Sequence, residues 1–229
     1  MIQPFLDLYL RMDIGNTVIS CPYWMNKMRE GKVVLRGFAN GKGSAQEIKD
    51  ELVKKVRQSN ITPSDPVALI KLARRERIGI DCSGLSYRIL NEIIRAGIIQ
   101  KNWEVNSLDK IFAGGINRTN VVRLTSKEYS EKIIKISGVR PGDLVRMMGG
   151  KHALLILGRS ERQIKYIQSS KSTADWGVHE GIINVNDWTK PLESQDWQEK
   201  TKKGDNFGRR YFHPDKGDGI YRLKVFSDL

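Results

Sequence analysis

Cysteine and histidine are scarce in this chain of 229 residues, which holds two of the first, Cys21 and Cys82, and three of the second. Two cysteines exclude a scaffold built on disulfides, and with so few histidines there is little material for a structural zinc site. Long apolar runs are missing too. No stretch approaches the roughly 18 uninterrupted apolar residues that a membrane-spanning helix requires. Internal repeats, low-complexity tracts and a Pro- or Ser-rich linker are absent, which favours one domain over two at this length. The opening segment MIQPFLDLYLRMDIGN has no basic n-region and is broken by Asp7, Arg11 and Asp13. It does not read as a secretory signal. The default expectation is a cytoplasmic chain, with a cell-wall or extracellular site requiring another route of export.

What is present is enough for a core: hydrophobic residues make up 39% and aromatics 8%, which argues against a disordered chain. The formal charge of +13 favours polyanionic surroundings. The charge is spread in short runs such as Lys54-Lys55-Val56-Arg57, Arg74-Arg75, Lys202-Lys203 and Arg209-Arg210. That pattern describes a solvated basic surface. It would draw in an anionic wall polymer as a side effect, and it does not favour nucleic acid as the partner.

Helical signals come first. Residues 3 to 12 read as a short amphipathic helix. Ser44-Ala45-Gln46-Glu47 is a capping box and predicts a helix to about 58. Asp65-Pro66 predicts another to about 76, with proline at its first position. A third should run from Cys82 to Ala96-Gly97. The Gly- and Lys-rich residues 29 to 43 read as a loop. Strand patterns follow at Leu144–Met147, His152–Leu157, Gln163–Gln168, Gly181–Val185 and Gly219–Val225. Helices first and strands later predict an α+β fold with an antiparallel sheet against a helical layer. One tempting motif fails: Gly37-Phe38-Ala39-Asn40-Gly41-Lys42-Gly43-Ser44 has three residues between Gly37 and Gly41 where four are needed, and Gly43 after the lysine, so it is not a phosphate loop.

The chemistry concentrates at Asp81-Cys82-Ser83-Gly84. Cys82, Leu85, Ile89, Ile93 and Ala96 step by three and four and share one helix face. Cys82 therefore sits at the N-terminus of a central helix, on its inward stripe. Free N–H groups and the helix dipole there are expected to lower the thiol pKa. Further on, Arg140-Pro141-Gly142-Asp143 is turn chemistry before a strand, and His152 opens the apolar strand that follows. A hairpin centred on Ser160 sets His152 opposite Gln168. The glutamine oxygen could then accept Nδ1–H of His152 and leave Nε2 facing the thiol. A slip of one residue would put the pair on opposite faces. Together Cys82, His152 and Gln168 supply a nucleophile, a base and an orienter. His179, read in a turn entering a strand, and His213 are taken as structural or surface groups.

DCSGL, RPGDLV, KHALLILG and YIQSS, in that order, resemble the NlpC/P60 cysteine peptidases. Cys21-Pro22-Tyr23-Trp24 is similar to that family's PYxWGG segment without its glycine pair. The resemblance covers roughly residues 15–26 and 80–185. It implies a papain-like fold of NlpC/P60 type, in which a central helix carrying the nucleophile packs on an antiparallel sheet, here in one domain with a helical insertion at about 27–79. It also implies a catalytic Cys82, His152 and Gln168, needing neither metal nor cofactor. The implied substrates are peptidoglycan peptides or murein fragments, cut between γ-D-glutamate and the diamino acid. Tyr23, Asp81 and Ser83 match the positions that hold the free amine of a terminal L-Ala in part of the family, and a carboxylate with two hydroxyls suits an ammonium. Asp81 and Ser83 also suit helix capping. Two other readings stay open: an amidase or acyltransferase with the same triad, and a non-catalytic basic module binding wall polymer or nucleic acid.

Overall fold

The computed structural model describes residues 2–59, 61–62, 64–97 and 105–227. Helix α1 (Gln3–Leu10) leads into a hairpin of β1 (Met12–Ile14) and β2 (Thr17–Ile19). A second hairpin, β3 (Lys27–Arg29) and β4 (Lys32–Leu35), occupies part of the segment expected to be loop. The two residues between its strands, Glu30 and Gly31, both have positive φ (51° and 75°), the backbone of a tight primed turn that matches strand twist. A short run of lysines and valines is too exposed to announce itself by alternation, which explains why the pattern was missed: β3 is fully exposed and only Leu35 of β4 is even half-buried.

The expected helices are present as α2 (Ala45–Arg57), α3 (Pro66–Glu76) and α4 (Cys82–Arg95). Ser44 accepts from the Glu47 N–H while Glu47 Oε2 accepts from the Ser44 N–H, so both ends of the capping box are made. Asp65 Oδ1 accepts from the N–H groups of Val67 and Ala68 at the head of α3. A single turn, α5 (Val121–Leu124), precedes β5 (Ser130–Ile133). The remaining elements are β6 (Leu144–Met147), β7 (His152–Arg159), β8 (Gln163–Ser170), β9 (Gly177–Asn184), β10 (Asp196–Trp197), α6 (Phe207–Tyr211) and β11 (Gly219–Leu223).

Seven strands form one antiparallel sheet in the order β10-β9-β8-β7-β6-β11-β5. The molecule is α+β, as the order of patterns predicted. Alternate residues feed two apolar clusters. Leu144, Leu155 and Ile167 join the cluster that takes in α1 to α4, among them Leu52, Leu72 and Leu90. Val145, Leu154, Ile156 and Tyr166 join a second one with Trp197, Phe207 and Phe212. Helix α4 is buried at ten of its positions and lies on β7 and β8. That contact brings the start of α4 to the start of β7.

The turn chemistry at Arg140-Pro141-Gly142-Asp143 serves the sheet. Asp143 is buried, and its two oxygens accept from the guanidinium of Arg222 in β11 at 2.8 and 2.9 Å and from the Arg140 N–H. The pair ties the loop before β6 to the neighbouring strand.

Candidate active site

Cys82 is the first residue of α4, capped by Asp81, whose Oδ1 accepts from the Gly84 N–H at 2.7 Å. Its side chain packs with Val121 and Ala153, one residue along from His152. The backbone N–H groups of Ala153 and Ser83 favour its ionised form. The helix terminus was expected to favour the thiolate, yet burial and the neighbouring Asp81 carboxylate push the thiol up to about 12, against the lowering by those N–H groups and Lys42. Desolvation of a thiol outweighs a half-charge at the helix end. Cys82 therefore rests as a neutral thiol.

His152 and Gln168 meet: Nε2 of His152 lies 2.6 Å from Oε1 of Gln168, and both side chains are buried. The contact forms in a different way from the one expected. Leu155 pairs with Ile167 and Ile156 with Tyr166, two residues away from a hairpin centred on Ser160. An even displacement keeps the same residues on the same face, so Gln168 becomes a diagonal neighbour of His152 and still reaches it. The ring is also turned over relative to expectation. Nε2 is committed to the glutamine, and Nδ1 is the nitrogen left over. Burial lowers the proton affinity of His152, with Gln168 and Glu199 pulling the other way.

Sequence reasoning missed what holds Gln168. Its Nε2 donates to Glu199 Oε2 at 2.5 Å, and Glu199 Oε1 is 2.5 Å from His179 Nε2. Tyr166 donates its hydroxyl to the same carboxylate. His179 is not in a turn: it lies within β9, directly opposite Gln168. Gly181 allows this cluster. A Cβ there would come within 2.3 Å of the Tyr166 ring, displacing the phenol that binds Glu199. Nothing local marks Glu199, since it lies 31 residues from its partner Gln168.

The three residues matched to an amine pocket are near one another, but the pocket has an occupant. Lys42, buried, donates from Nζ to Asp81 Oδ1 at 2.8 Å and to Ser83 Oγ at 2.5 Å. Ser83 donates in turn to Asp81 Oδ1 at 2.9 Å. The lysine comes from the Gly41-Lys42-Gly43 run that failed as a phosphate loop. Gly41 has φ of 72°, and a Cβ on it would meet the Trp24 carbonyl oxygen at 2.5 Å, so only glycine fits. The Gly41 carbonyl accepts from the Asp81 N–H, and that of Lys42 from the Arg88 guanidinium of α4. Tyr23 pairs with Ile80 in a β-bridge and is half-buried. Burial raises its hydroxyl pKa, and the Asp81 carboxylate adds to this.

Cys82, Asp81, Ser83 and Lys42 line a cleft of about 1130 Å³. Its walls come from the β3–β4 hairpin on one side and residues 117–122 on another, with Gly150 and Lys151 beside His152. Part of the segment assigned to an insertion thus borders Cys82. Cys21 is fully buried, unpaired with Cys82, and away from this cleft. Among the described residues no group of three or more His, Cys, Asp or Glu side chains is placed to hold a metal ion, and no helix is long and apolar enough to cross a membrane. Neither a protein-family model, nor a curated protein, nor a solved structure matches this chain.

Proposed function

We propose that the chain is a papain-like cysteine hydrolase of NlpC/P60 type, cutting peptidoglycan stem peptides between γ-D-glutamate and the diamino acid. The observation that carries this reading is the imidazole fixed by Gln168 on the residue next to Ala153, which packs against Cys82. The likeness of DCSGL, RPGDLV, KHALLILG and YIQSS to that family supplies the substrate.

In this mechanism His152 takes the thiol proton on Nδ1 as the sulfur attacks the amide carbon. With both groups uncharged at rest, proton transfer accompanies attack rather than preceding it. Gln168 holds the ring and cannot itself exchange a charge. Asp81 consumes the Gly84 N–H with its side chain and the Leu85 N–H with its carbonyl. The N–H of Cys82 itself is left as a first-turn donor for the oxyanion. The C–N bond then breaks, and the leaving amine takes the proton from His152. Water, deprotonated by the same ring, opens the thioester and restores the thiol.

Incubation with defined muropeptides, followed by mass spectrometry, tests the proposal. Wild-type protein should release a fragment ending in glutamate and one beginning at the diamino acid, and Cys82→Ala should release neither. Transfer of the acyl group to an added amine in place of water would make it an acyltransferase. Binding without cleavage by both proteins would make it a basic binding module.

A further inference from the structure

Four cationic side chains line the cleft beside Cys82: Arg36, Lys42, Arg118 and Lys151. Asp81 is the one carboxylate among the described residues that line it, and it is already satisfied by Lys42 and Ser83. Arg36, Arg118 and Lys151 are exposed, and no carboxylate lies within ion-pair distance of any of them among the described residues. Arg36 donates only to the amide oxygen of Asn40. Uncompensated charge of one sign inside a concave wall focuses its field into the cleft.

We infer that this cleft selects an acyl donor bearing a free carboxylate, and that Lys42 closes the seat at Asp81 to a substrate ammonium. The inference rests on Cys82 being the nucleophile and deepens that reading by naming the charge of the substrate. Lys42 is an internal ammonium bound by the carboxylate and hydroxyl that a substrate amine would need. A second ammonium would have to displace it and leave a buried lysine unpaired, which is costly. Arg118 and Lys151 extend the positive field toward the rim. A γ-linked glutamyl residue, whose α-carboxylate is free, has the charge this cleft accepts.

Two small alkylating reagents of opposite electrostatic demand test this without a known substrate. The rates of Cys82 modification by iodoacetate and by iodoacetamide are measured on the full chain, with the site located by peptide mass. The ratio is divided by that of free N-acetylcysteine at the same pH. A unit charge about 4 Å away in water changes a rate about fivefold, so the normalised ratio should exceed one by about that factor. It should fall toward one in about 1 M salt. Arg118→Gln with Lys151→Gln, both at exposed positions, should lower it. Lys42→Met should lower it further, since Asp81 then faces the cleft unpaired. A normalised ratio at or below one, or one unmoved by Arg118→Gln with Lys151→Gln, overturns the inference and leaves the nucleophile intact. No labelling of Cys82 by either reagent removes the nucleophile reading and the inference with it.

Discussion

Cys82, His152 and Gln168 show how differently single residues can be read. The thiol was found by its helix position, but its protonation state was not, because a helix terminus is local and desolvation is not. With the thiol raised to about 12 and His152 lowered, the pair rests as thiol and imidazole. The rate of iodoacetamide modification at Cys82 should keep climbing from pH 7 to pH 10 as thiolate accumulates. A plateau already reached at neutral pH would show a preformed ion pair. Buried Cys21 should stay unmodified while the fold persists. The glutamine cluster gives a second expectation. His152→Ala removes the proposed base and should lower kcat by about 10²–10⁴-fold. Gln168→Ala loses alignment alone and should cost less. Glu199→Gln keeps the shape but lets the Gln168 amide turn over. As a positioning effect it should lower kcat with little change in KM and shift the acid limb of the pH–rate profile, and a profile identical to wild type would remove Glu199 from the account.

At the scale of elements, α2, α3 and α4 were legible to within a residue or two because their signals are covalent neighbours: Ser44 with Glu47, Asp65 with Pro66, Asp81 with the stripe from Cys82. Strands β6 to β8 were legible as short β runs after the RPGD turn, whereas the register of β7 on β8 was not. The structure carries an irregularity between Ile156 and Gly158, and a bulge adds an offset that no local pattern announces. The His152–Gln168 contact is made all the same because the offset is even. Strand β5 and the seat of Lys42 depend on partners far along the chain, and the β3–β4 hairpin is too exposed to show an alternating pattern; none of these was legible. The RPGD turn makes an element-scale prediction. Asp143 and Arg222 are both buried, so Arg222→Met leaves an uncompensated carboxylate and should cost about 3–5 kcal/mol. Pairing it with Asp143→Asn should recover part of that loss. Urea unfolding at neutral pH measures both, and equal stability of Arg222→Met and wild type would contradict the role given to the pair.

For the whole molecule, composition and order of patterns sufficed for an α+β chain with a basic surface. They did not show that the basic charge enters the cleft, because Arg36, Lys42, Arg118 and Lys151 are scattered in sequence and gathered only by folding. The same gathering sets Lys42 where a substrate amine was expected. The account stands on Cys82 carrying an acyl group. Intact-mass spectrometry after acid quench of the protein with a γ-glutamyl peptide tests this directly. It should show a mass gain equal to the acyl moiety, mapped to Cys82, absent in Cys82→Ala and enhanced when deacylation is slowed. Cleavage of the peptide by Cys82→Ala at the wild-type rate would contradict the account.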